Sequence, residues 1–219
     1  MNAINLISYS IPLLKTSNTG REALELMSDH YVQHLPIVNN EQLLGIISEE
    51  DILENDEMES IGSYQLSIPQ ARVKSTDHIF EVLAQVSRSK LTVIPVVDEN
   101  EKFLGVISQQ DLLKYFADSF SFGDSGGILV LEMSKSDYAL SEICRVAEAE
   151  NVAIICSFIT RSTEENQINV HIKISDPEVH RVTAAFSRYG YNVVATYTED
   201  PDLDVFKDRY ESFMHYLNF

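Results

Sequence analysis

Basic residues are scarce in this sequence: 16 Lys and Arg stand against 34 Asp and Glu over 219 residues, a formal net charge of −18. Binding to nucleic acid by counterion release needs clustered cations, and no Lys/Arg cluster occurs, so no nucleic-acid partner is expected. Long apolar runs are also missing. The longest, Gly127 to Leu131 and Val152 to Cys156, fall far short of the roughly 20 residues that cross a bilayer. The start of the chain lacks the basic end and apolar core of a secretion signal. No membrane partner and a cytoplasmic location are therefore expected. There are only two cysteines, Cys144 and Cys156, and no histidine or third cysteine lies at ligand spacing. Both read as small buried hydrophobes, which leaves no disulfide framework and no metal site. Gly126-Gly127 is not followed by Gly-Lys-Ser/Thr, so it is no phosphate loop. No nucleophile–base pair is spaced for catalysis, and the acidic pairs Glu49-Glu50 and Asp202-Asp204 read as helix-start and surface charges. No catalytic residue is assigned, and a non-enzyme is expected.

What is present is a duplication. Gly45-Ile46-Ile47-Ser48-Glu49-Glu50-Asp51 and Gly105-Val106-Ile107-Ser108-Gln109-Gln110-Asp111 share one pattern, each preceded by a Pro-hydrophobe-Val block at Pro36-Ile37-Val38 and Pro95-Val96-Val97. The β-branched pair reads as the end of a buried strand and the serine as a helix N-cap. The aspartate stands at the third helical position, where it can bond back to the cap. The same junction has a second use. A strand running into a helix leaves free N–H groups and a positive dipole end for a phosphate, and an ionised aspartate beside it can accept both hydroxyls of a ribose.

In order, spacing and duplication, the first half of the chain resembles a tandem pair of CBS domains, the Bateman module. The resemblance implies a regulatory module that binds adenosine-containing ligands in clefts between the paired domains. Asp51 and Asp111 then inherit the ribose role, with Ser48 and Ser108 at the helix starts. Aligning the copies sets Thr16-Ser17 opposite Ser75-Thr76 and Lys15 opposite Lys74. In the family that approach segment often lines the cleft, and the residues before the Pro block, here His34-Leu35 and Val93-Ile94, often touch the base through their backbone. The ligand so implied is AMP, ADP, ATP or another adenosyl compound, with or without magnesium. The acidic field disfavours long polyphosphates. Strand termination and helix capping account for the serines and threonines equally well. His34 reads as a partly exposed strand residue, with no partner for acid–base work.

The fold class expected is α/β (α+β). Residues 1–59 and 60–118 form the CBS pair, 119–127 a linker, 128–199 a ferredoxin-like domain and 200–219 a C-terminal helix. Met1 to Leu14 reads as a strand entering the first copy. Thr19-Gly20-Arg21-Glu22 reads as a capping box before a helix with Ala23, Leu26 and Met27 on its apolar face. After Thr76-Asp77 the matching helix carries Ile79, Val82, Leu83 and Val86, a face suited to a partner. The later half reads strand, helix, strand, strand, helix, strand. It starts with Ile128 to Met133, then a helix capped by Asp137 with Leu140, Ile143, Cys144 and Ala147 inward, then a hairpin of Val152 to Thr160 and Ile168 to Ile174. A helix capped at Asp176-Pro177 follows, ends at Gly190, and leads into Tyr191 to Tyr197. This βαββαβ order resembles an ACT domain. Amino-acid-binding members often carry Asp-x-Pro-Gly after the first strand, where this chain has Ser136-Asp137-Tyr138-Ala139. Assembly is therefore expected of this domain before sensing. Asp200-Pro201-Asp202 starts an amphipathic stretch with Leu203, Phe206, Tyr210, Phe213 and Leu217 at helical spacing. A homodimer follows from the resemblance, and an unidentified protein partner would receive the signal. The competing expectation is a ligand-free dimeric scaffold.

Overall fold

The computed structural model describes residues 1–67 and 71–198, and the C-terminal helix expected over 200–219 lies outside them. The chain divides into two compact units at Phe116/Ala117.

In the first unit, Thr19 caps α1 (Gly20–Asp29): its hydroxyl accepts the Glu22 N–H and the Glu22 carboxylate accepts the Thr19 N–H. Ala23 and Met27 are buried, as the spacing predicts. β1 (His34–Asn39) and β2 (Gln42–Ser48) form an antiparallel hairpin in which His34 faces Ser48. A short α2 (Glu49–Leu53) follows. The second copy runs β3 (Val73–Lys74), α3 (Ile79–Ser89), β4 (Val93–Val97), β5 (Phe103–Ser108) and α4 (Gln109–Ser119), with β3 parallel to β4 and β4 antiparallel to β5. α3 is capped by the His78 ring nitrogen, which accepts the Phe80 N–H. Ile79, Val82 and Val86 are buried on it, whereas Leu83 faces outward.

The two hairpins share their cores. Val93 and Val106 of the second copy pack in the cluster of the first, and Ile46 of the first packs in that of the second. A fully buried aliphatic side chain contributes about 1.5–3 kcal/mol, so neither copy is independent of the other.

The expected strand over Met1 to Leu14 is not formed. Residues Ala3–Leu6 make a 3-10 turn, and the segment crosses to the second copy, where Ala3 N–H bonds Asp77 O, Ile4 N–H bonds Ser75 O and Ser8 N–H bonds Val106 O. Only Leu14 reaches the first copy's sheet, bridging Ile37. Pro12 interrupts the run and removes a donor, which is why alternation alone misleads here.

The second unit is a ferredoxin-like βαββαβ sandwich. β6 (Gly127–Ser134), β7 (Ile154–Arg161), β8 (Gln167–Ile174) and β9 (Asn192–Tyr197) form an antiparallel sheet in the order β7-β8-β6-β9. α5 (Leu140–Ala149) and α6 (Val179–Arg188) pack on it through Ile143, Val146, Ala147, Val182, Ala185 and Phe186. Two caps differ from expectation. Asp137 sits in a turn bonded to Ser136, and α5 begins after Ala139 without a side-chain cap. Asp176 accepts the Glu178 N–H and the Arg181 guanidinium, so α6 begins two residues past the proline. Arg181 also binds Glu150. Gly190 ends α6 with φ +84°, the left-handed conformation that favours glycine. Cys144 and Cys156 are both free thiols, and burial raises the pKa of Cys156.

Candidate ligand site

Each Ser-x-x-Asp motif forms where a buried strand turns into a helix. Ser48 caps α2: its hydroxyl accepts the Asp51 N–H at 3.0 Å and the Asp51 carboxylate accepts the Ser48 N–H at 2.9 Å. Asp111 repeats this with Ser108, the two backbone bonds both measuring 3.0 Å, and adds a bond from the Ser108 hydroxyl at 2.6 Å. The helix starts are less open than the sequence implies. The first helical amides, Glu49 and Gln109, donate to Gln33 O at 2.9 Å and Thr92 O at 2.8 Å. With the third amide taken by serine, only the Glu50 and Gln110 N–H groups lack a partner among the described residues. The free cluster of donors expected for a phosphate is thus reduced to one per helix, because Gln33 and Thr92, each three residues before the proline, end beside the helix start.

The copies then diverge. Asp51 is 4% exposed, and its second oxygen accepts the Ser67 N–H at 3.0 Å. Burial alone would raise its pKa, but the bonds from Ser48 and Ser67 together outweigh that and hold the carboxyl below the ordinary value. Asp111 is half-buried, and its second oxygen has no partner among the described residues.

The other candidates are dispersed. His34 is buried at the seam between the copies, where its Nδ1 lies 3.0 Å from the Thr92 hydroxyl and accepts the Thr92 N–H at 3.3 Å. Desolvation lowers its pKa against the opposing pull of Asp51 and Glu50. The side chains of Leu35, Val93 and Ile94 are core, which leaves only their backbone for a ligand. Thr16 bonds Asn39 at the far end of β1 from Ser48, with Ser17 beside it. Ser75 bonds Val97 O at the corresponding end of β4, and Thr76 is exposed. Within one copy, therefore, the hydroxyl pairs and the aspartate are not brought together. Sequence reading missed Ser67, Gln33 and Thr92. Gln33 and Thr92 occupy equivalent positions before the Pro blocks, a signal that was available; Ser67 carries none.

Two grooves mark the helical surface of this unit. One of about 700 Å³ is lined by Leu83, Val86, Lys90, Ser108, Leu113 and Phe116. A smaller one of about 490 Å³ is lined by Leu24, Met27, Tyr31, Glu49 and Leu53. Among the described residues no three His, Cys, Asp or Glu side chains are grouped to hold a metal ion, and no helix is long and apolar enough to cross a membrane.

Residues 5–57 and 67–118 match the CBS domain family, and the chain therefore carries two CBS domains in tandem. Among curated relatives, it is 26% identical over 125 residues to an uncharacterised protein of Methanocaldococcus jannaschii, covering 51% of this chain and 42% of that one. It is 29% identical over 110 residues to the arabinose 5-phosphate isomerase KdsD of Francisella tularensis, covering 48% of this chain and 33% of that enzyme. The match thus spans well under half the length of these relatives. Among solved structures, a CBS domain pair/ACT domain protein of Thermotoga maritima aligns with TM-score 0.49 and 24% identity, over 54% of this chain and 98% of that one. The plant protein CBSX2 in complex with AMP aligns with TM-score 0.47 and 19% identity, over 53% of this chain and 96% of that one.

Proposed function

We propose that this chain is a cytoplasmic, non-catalytic regulatory module that binds an adenosine-containing small molecule beside a Ser-x-x-Asp helix start and thereby alters its own dimer geometry or its hold on a partner protein. The observation that carries this reading is Asp111. It is fixed by Ser108 at the head of an 11-residue helix, and among the described residues one of its carboxylate oxygens and the Gln110 N–H beside it have no partner, which leaves that oxygen to accept ribose hydroxyls. A ligand shifts the assembly only if it binds one arrangement better than the other. The net charge of −18 favours adenosine, AMP or a sulfonium over ADP and ATP, whose phosphates would need magnesium beside them. The ferredoxin-like unit serves as an ACT-like assembly domain in this reading.

The test is a melting curve with AMP, ADP, ATP and S-adenosylmethionine, with and without magnesium. A ligand at about 100 times its dissociation constant adds roughly 2.7 kcal/mol to a folded state that alone binds it. A shift that Asp111→Asn removes supports the assignment; no shift with any compound overturns it.

A second reading, a ligand-free dimeric scaffold, is favoured by one specific observation. Phe80, Leu83 and Leu113 on α3 and α4, and Tyr31 and Leu53 around α1 and α2, stand exposed on the helical faces. Such apolar faces suit a second copy. Under this reading Leu113→Glu abolishes a dimer in analytical ultracentrifugation while no metabolite moves the melting temperature.

A further inference from the structure

We infer that the two Ser-x-x-Asp motifs have parted into one ligand site and one structural latch: Asp51 fastens the connection between the copies to the first helix start, and Asp111 alone is left for the ligand. This rests on the reading of the CBS pair as an adenosyl sensor and states which of its two aspartates serves it.

Asp51 offers two oxygens. One takes the Ser48 N–H and the other the Ser67 N–H, 16 residues downstream. At 4% exposure the lone pairs that remain have no path to a ribose, and a ligand would have to expel the Ser67 amide from a buried carboxylate. An unmatched N–H and a disturbed buried charge make that exchange unfavourable. The connection is stitched to the first copy along its length before it reaches the latch. Arg21 N–H bonds Glu57 O, Gly20 N–H bonds Glu59 O, Ile61 N–H bonds Asn18 O and Gly62 N–H bonds Thr16 O. Ile61 and Tyr64 are buried beneath it, and the tyrosine hydroxyl donates to Asp56 O. These bonds also occupy the backbone carbonyls of Thr16 and Asn18, the segment that was a candidate pocket wall.

Among the described residues the second copy has no counterpart. From Gln109 the chain runs on as an 11-residue helix where the first copy has five residues, and no returning backbone among the described residues meets the second carboxylate oxygen of Asp111. The difference follows from chain order: the first copy must be followed by a connection back to the second, and the second need not be.

The experiment uses the full chain, AMP as the probe, and the variants Asp51→Asn and Asp111→Asn. Titration calorimetry on the wild type is expected to give one AMP per chain; two per chain overturns the inference whatever the variants do. Asp111→Asn is expected to weaken AMP by at least roughly tenfold, the worth of a hydrogen bond to a charged group. Asp51→Asn should leave AMP within about threefold while it lowers the melting temperature and speeds hydrogen exchange at the Ser67 amide. The opposite pattern, Asp51→Asn losing AMP with unchanged melting and exchange, overturns the latch. If wild type ignores AMP and the other adenosyl compounds, the sensor reading fails. The latch then stands or falls on whether Asp51→Asn, and not Asp111→Asn, destabilises the chain and exposes Ser67.

Discussion

The two halves of the first unit carry the same seven-residue pattern in the same register, yet each aspartate ends in different surroundings. Both serines cap, both aspartates bond back, and both first helical amides donate to the carbonyl three residues before the proline. Beyond that local frame Asp51 is buried under a returning connection and Asp111 is not. His34 occupies the seam where its counterpart is Val93, and residues 1–8 lie on the second copy alone. Duplication copies what is held by bonds inside each repeat. It does not copy what arrives from elsewhere in the chain.

The comparison can be broken most strongly at the aspartates. Asp51→Asn leaves one of two buried backbone N–H groups facing an amide NH₂, and is expected to cost about 2–3 kcal/mol in urea unfolding, against less than about 1 kcal/mol for Asp111→Asn. The acid limb of the wild-type stability profile should differ from that of Asp51→Asn as well. The folded pKa of Asp51 lies below its unfolded value near 3.8, so its contribution is fully present above that value and is lost as pH falls through the lowered one.

The arm sharpens the contrast next. A methyl group on Gly105 would collide with the side chain of Ile7. Gly105→Ala is expected to cost about 1–2 kcal/mol by overpacking and to speed exchange at the Ser8 amide, which bonds Val106 O, with no effect at Ser67. An unchanged Ser8 amide would show that the arm yields freely.

The first helix of each copy gives a smaller effect. Thr19→Ala removes a full capping box and should cost about 1 kcal/mol. His78→Ala removes a ring–amide bond of the same 3.3 Å length, but histidine is not among the preferred cap residues, and the loss should be under about 0.5 kcal/mol, the low end of the range for caps. Equal losses would contradict the ranking.

The smallest expected effect is the pH dependence at the seam. The ring of His34 has a folded pKa below 6.5. As pH falls below 6.5 the unfolded chain takes a proton that the folded chain refuses, so stability declines and then levels once the folded ring is protonated. His34→Val, which places the second copy's residue in the first, should flatten that decline relative to wild type between pH 8 and pH 5.5 in thermal melts.

Much of this was legible before any coordinates. The Thr19 box, the strands ending at Ser48 and Ser108, the helix stop at Gly190 and the βαββαβ order of the second unit are all specified by neighbours within a few residues, and they formed as read. The errors have one cause. Asp137 and Asp176 have the residue type of a cap, but Asp137 bonds Ser136 in a turn, and Asp176 divides its oxygens between the Glu178 N–H and the Arg181 guanidinium before the helix starts. The alternation of Met1 to Leu14 suggests a strand in the first copy, but its hydrogen-bonding partners belong mostly to the second. Leu140 fits the helical period yet stands exposed, while Val146, outside the expected face, is fully buried, because the sheet beneath α5 decides which stripe is covered.

The sequence by itself determined that there are two copies, that each aspartate returns to its serine, and that a ferredoxin-like unit follows, since helix caps and strand alternation act over three or four residues. Only the tertiary structure decided that Ser67 would spend the second oxygen of Asp51, that Thr92 would close against His34, and that Asp111 would keep an oxygen free. The first two depend on a backbone group brought in from 16 or more positions away and the third on none arriving among the described residues, and hydrogen-bond competition over that range leaves no mark in local composition.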